Sequence, residues 1–137
     1  MVDIESALFT PIAEDFSETY PNGSRYNEPM ETPASFPALV MYQADRFYSG
    51  YTGLNSSRVV IDVDVFSNLT AGAKQQCKDI IELVEERLGS IGAWETVFCN
   101  QIKNADQRIF RVKARYRGTA VQETYEDDTV TVRIYKD

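Results

Sequence analysis

Two stretches of the chain alternate apolar and charged residues with a period of two: Val59 to Phe66, "VVIDVDVF", and Arg108 to Arg117, "RIFRVKARYR". Successive side chains of a strand point to opposite faces, whereas a helix would scatter these charges around its circumference. Val59, Ile61, Val63 and Val65 therefore share one face of the first strand, and Val60, Asp62, Asp64 and Phe66 share the other. In the second strand Phe110, Val112, Ala114 and Tyr116 face inward, while Ile109, Arg111, Lys113, Arg115 and Arg117 face outward. Half-apolar strands of this kind must lay their apolar side against another layer of structure.

The Asp-x-Asp pair raises a choice between a metal site and the wet side of a sheet. Its carboxylates point the same way, roughly 7 Å apart by the two-residue rise of a strand. A divalent cation needs further oxygen ligands, and neither the flanking residues nor a glycine-rich loop offers them. The following "SNLTAGAKQQ" lacks the spacing that lets backbone amides wrap a phosphate. Arg111, Lys113 and Arg115 are natural partners instead, each exposed pair contributing about 0.2–1 kcal/mol. The expectation is a solvated strand face.

The covering layer is also visible. Ala73, Cys77, Ile80, Ile81, Val84 and Leu88 recur at three and four, with Lys74, Lys78, Asp79, Glu82, Glu85 and Glu86 on the other side. This predicts a helix over 71–88, capped by Asn68 or Thr70 and closed by Gly89. Residues 2–19 place Ile4, Ala7, Leu8, Ile12 and Phe16 at helical spacing, with Pro11 either starting a second set of turns or kinking the first. "FPALVMY" at 36–42, "WETVFCN" at 94–100 and "TVTVRIY" at 129–135 read as further strands, Pro37 being tolerable near a strand start. The expected architecture is a small α+β domain covering 1–137. Its sheet is mainly antiparallel or mixed, with about four or five strands, and packs with two main helices.

Length and composition agree with one core. At 137 residues and 43% hydrophobic content the chain suits a single domain. It has no histidine, and Cys77 and Cys99 form no C-x-x-C pair, which removes histidine-based triads, histidine-containing zinc sites and thioredoxin-like chemistry. Both thiols are expected to be buried and reduced. No apolar run reaches the ~18 residues of a membrane span. The start "MVDIESALFTPIAEDF" carries acids where a signal peptide carries lysine or arginine, so the chain is expected to stay in the compartment where it is made. Sequons at Asn22, Asn55 and Asn68 are then chance matches. The net charge of −7 argues against general nucleic-acid binding, and residues 1–57 concentrate it, with two arginines against eight acids.

Two long loops stand out. Residues 20–35 hold three prolines and a glycine and read as an irregular surface segment that is functional, mobile or ordered by a partner. Residues 43–57 read as a second loop or a loose hairpin tip. Together the loops carry Tyr20, Tyr26, Met30, Phe47, Tyr48 and Tyr51. Such aromatics either pack on their own domain or form a contact surface. On the second reading Tyr20, Tyr26, Phe47, Tyr48 and Tyr51, with the basic Arg111, Lys113 and Arg115, are the candidate subunit or partner interface.

The ordered set Val63-Asp64-Val65-Phe66-Ser67-Asn68, a helix from Ala73-Lys74 to Leu88-Gly89, Phe98-Cys99-Asn100, Asn104-Ala105-Asp106-Gln107-Arg108-Ile109-Phe110-Arg111, Ala114-Arg115-Tyr116 and Ile134-Tyr135-Lys136 resembles a known family. It is similar to the tail terminator, or tail completion, proteins of long-tailed bacteriophages, over roughly residues 36–136. Cys99-Asn100-Gln101 stands where the family often has an Asn-Pro turn, and the 43–57 insertion looks longer than usual. The resemblance implies a virion protein assembled in the host cytoplasm, with no enzymatic activity and no cofactor or metal. Such proteins form a ring, generally of six subunits, on the head-proximal end of the tail tube; it stops tube polymerisation and meets the head-tail connector protein. Implied partners are other copies of the chain, tail tube protein and connector protein, without sequence-specific nucleic acid or membrane. A neck or head-tail connector protein of the same virion is the first alternative; a small metal-dependent α+β enzyme using Asp62 and Asp64 is the second.

Overall fold

A computed structural model describes residues 5–44, 51–53, 56–124 and 130–134. In chain order the elements are α1 (Glu5–Thr19), β1 (Ser24–Tyr26), β2 (Ala38–Gln43), β3 (Tyr51–Gly53), β4 (Ser56–Ser67), α2 (Ala73–Ile91), β5 (Glu95–Ile102), β6 (Phe110–Thr124) and β7 (Val130–Ile134). The domain is α+β, as expected. Its mixed sheet runs β1-β2-β4-β6-β5, with short β3 and β7 extending β4 and β6. Among the described residues only β1 and β2 pair in parallel.

The two alternating stretches form the spine of this sheet. They pair antiparallel without a break from Ser56 opposite Val121 to Ser67 opposite Phe110, which sets Asp62 against Arg115 and Asp64 against Lys113. A one-residue slip would turn every valine of β4 to the wrong face, so the apolar pattern fixes the register. Val59, Ile61, Val63 and Val65 meet Ala114 and Tyr116 in the main core under both helices.

Helix α2 buries Cys77, Ile80, Ile81, Val84 and Leu88, the stripe its spacing requires. Its ends differ from expectation. The N-cap is Gly72, left-handed at φ 84° and without a side-chain cap, so neither Asn68 nor Thr70 caps the helix. Ser67 Oγ instead donates to Gln76 Oε1 at 2.5 Å. At the other end the helix passes through Gly89 because Ile91 still packs against the core; it stops at Gly92, whose N–H donates to the Leu88 carbonyl. Helix α1 runs through Pro11 as one element and buries Leu8, Phe9, Ile12 and Phe16. Arg87 of α2 clamps Asp15 of α1 by two hydrogen bonds of 2.8 and 2.9 Å.

The segment 20–35 is less irregular than its composition suggests. Ser24–Tyr26 forms β1, and the rest folds back on itself: Ser24 Oγ donates to the Ser35 carbonyl, and the Ala34 N–H donates to the Tyr26 hydroxyl. Gly23 is required beside it, since a Cβ there would lie 2.6 Å from the Pro37 carbonyl oxygen. The returning loop covers a second, smaller cluster on the far side of the sheet. Ala38, Val40 and Phe66 are buried there beneath Tyr26, Met30 and Phe36. Strand β6 runs on to Thr124.

Candidate functional site

Both helices lie on one face of the sheet, and the side chains of interest lie on the other. From β4 come Arg58, Val60, Asp62, Asp64 and Phe66; from β6 come Arg111, Lys113, Arg115 and Arg117; from β5 come Glu95, Phe98, Asn100 and Ile102. Tyr42 of β2 stands opposite Asp62.

The expectation of a solvated face fails at the two aspartates. Asp62 and Asp64 are only 3% and 4% exposed. Strand alternation assigns a side chain to a face, but it does not say what lies over it. Here the cover is the guanidinium groups themselves. Arg115 takes Asp62 with Nε to Oδ1 at 2.6 Å and Nη2 to Oδ2 at 2.9 Å. Arg111 takes Asp64 with Nε to Oδ1 at 2.9 Å and Nη2 to Oδ2 at 2.5 Å. Each guanidinium also lies over a ring, Arg111 over Phe66 at 4.8 Å and Arg115 over Phe98 at 5.5 Å. The result is two matching triads, each a guanidinium lying over a ring and gripping a carboxylate at its edge.

Lys113 stands directly opposite Asp64, yet Arg111, one diagonal away, holds that carboxylate. The planar fork of arginine matches both carboxylate oxygens at once and is less strongly hydrated than an ammonium group. Among the described residues Lys113 has no ion-pair partner. The carboxylates raise the affinity of both guanidinium groups for their protons, chiefly through these hydrogen bonds. Tyr42 is pushed above the usual phenol range by burial first, then by the charge of Asp62 and a hydrogen bond to it.

Chemically, the oxygens of both carboxylates are taken. A divalent cation would have to displace two guanidinium groups, and among the described residues no cluster of three or more metal-ligating side chains occurs. The arrangement suits a rigid, charge-compensated surface better than a reactive centre.

The other candidate contact residues are dispersed. Tyr20 is half-buried beside Phe16, with ring centroids 5.3 Å apart. Tyr26 is half-buried in the second cluster. Both therefore pack on their own domain. Phe47 and Tyr48 lie outside the described residues; Tyr51 opens β3 opposite Ser57. Arg111, Lys113 and Arg115 are brought together in one row. Phe66, Phe98 and Tyr42 complete this cluster; the sequence pattern placed Phe66 on the face but assigned no role to any of the three. Their only signal was an aromatic at the same parity as the charges.

The cysteines divide. Cys77 is buried under the sheet as expected, with its thiol pushed up to about 12 by burial first and then by the Asp64 charge. Cys99 is exposed, against expectation. Strand β5 is the sheet edge, beyond β4 and β6 on which α2 packs, so its helix-side positions gain little cover.

No protein-family model matches this chain, and no curated protein matches it significantly.

Proposed function

We propose that the chain is a structural virion subunit of the tail-terminator kind. Copies of it close into a ring, generally six-membered in the family it resembles, on the head-proximal end of the tail tube. The ring ends tube polymerisation and offers the head connector its docking surface. One observation carries this reading. Asp64 and Arg111, two residues of the ordered set that resembles the family, grip each other at the centre of the sheet, with side chains only 6% and 14% exposed. A carboxylate and a guanidinium held this way support a role in shape, as an assembly subunit requires.

The same contact disfavours a metal-dependent enzyme, whose carboxylates must be free to bind the ion. A neck protein of the same virion would have a similar charge and size and differ in its partner. Negative-stain imaging of the purified protein, alone and with tail tube protein, separates the readings. Rings seated on one end of tubes support the terminator. Rings that ignore tubes and bind the portal-side connector support the neck protein, and no ring under either condition overturns both.

A further inference from the structure

The two sides of the domain carry opposite charge. The helix layer holds eight acidic and three basic residues, a net −5. Opposite the buried stripe of α2, the outward ridge is Asp79, Glu82 and Glu86, all exposed. On the open sheet face over β4, β6 and β5 the balance reverses. Asp62, Asp64 and Glu95 are each taken up by an arginine: Arg115, Arg111 and Arg117. Arg58, exposed, and Lys113 remain without an ion-pair partner among the described residues. Glu31, from the covering loop, acts on this face only at its Arg111 end.

We infer that the acidic α2 ridge of one copy docks on the open sheet face of the next, placing Glu82 and Glu86 against Lys113, while Arg58, six residues further along β4, adds attraction at longer range. The occupant is a second copy of this chain, because the missing counter-charges stand on its own opposite side. Such a contact joins two different surfaces and so propagates head to tail, closing into a ring when the rotation per subunit allows. The aspartate-held arginines set a stiff floor for it, and the two unpaired cations select the partner by charge. This inference rests on the ring reading and assigns its subunit contact.

Charge exchange tests it. Arg58→Glu with Lys113→Glu makes both sides acidic, and Glu82→Lys with Glu86→Lys makes both basic. Each double variant, folded by circular dichroism, should sediment as monomer where the wild type is assembled. An equimolar mixture of the two should reassemble, since each then supplies what the other lacks, and so should the fourfold variant. Wild-type assembly should also weaken as salt is raised from 50 to 500 mM, a range chosen to shorten the screening length several-fold. Double variants that assemble like wild type, or a folded mixture that stays monomeric, overturn this contact while wild-type rings keep the ring reading intact. Wild-type protein that is monomeric at every salt concentration overturns both.

Discussion

Arg111 reaches Asp64 diagonally across the β4–β6 ladder, although Lys113 stands directly opposite that carboxylate. The reach is possible because diagonal neighbours on one sheet face lie within span of a long side chain. It leaves Asp64 closed off by a guanidinium that itself lies over the Phe66 ring.

Removing that carboxylate's charge strands a cation whose side chain is only 14% exposed. Asp64→Asn should therefore cost about 3–5 kcal/mol in urea unfolding. Asp62→Asn should cost less, about 1–3 kcal/mol, because the Arg115 side chain is 39% exposed and can regain water. Losses below about 1 kcal/mol for both would return the pairs to ordinary surface salt bridges.

The cysteines give a second readout. A thiol reagent should label exposed Cys99 quickly in the native protein and Cys77 only on unfolding. Burial holds the Cys77 proton until about pH 12, against 9.0 ordinarily. Its neutral form thus stabilises the fold fully below about pH 9, and this contribution is lost as pH rises through 12. The stability advantage of wild type over Cys77→Ala should shrink steadily above pH 9; a constant gap would show that the thiol ionises as easily folded as unfolded.

Gly118 supports the only tryptophan. A Cβ there would lie 2.8 and 2.9 Å from ring carbons of Trp94. Gly118→Ala should cost about 1–3 kcal/mol through overpacking, and it should red-shift the tryptophan emission as the ring is lifted toward water. Unchanged emission and stability would mean that the indole does not sit over this glycine.

Much of the frame was legible because periodicity reports faces. The valines of β4 and the α2 stripe from Cys77 to Leu88 follow directly from spacings of two and of three to four. What periodicity cannot report is cover and order. Asp62 and Asp64 were assigned to the correct face and to three basic partners, of which Arg111 and Arg115 hold them and Lys113 does not; their burial depends on where those two guanidinium groups come to rest. Cys99 has the parity of a core position and is exposed because β5 ended up as the sheet edge. Strand β1 is three residues long and takes its pairing from β2, so no pattern of its own could announce it.

Tube growth tests the terminator reading most directly. Purified tail tube protein is allowed to polymerise with increasing amounts of this protein, and tube lengths are measured by electron microscopy. Growth should stop progressively earlier, with a ring visible at one end of each arrested tube. A length distribution unchanged at saturating protein, with bare tube ends, would contradict it.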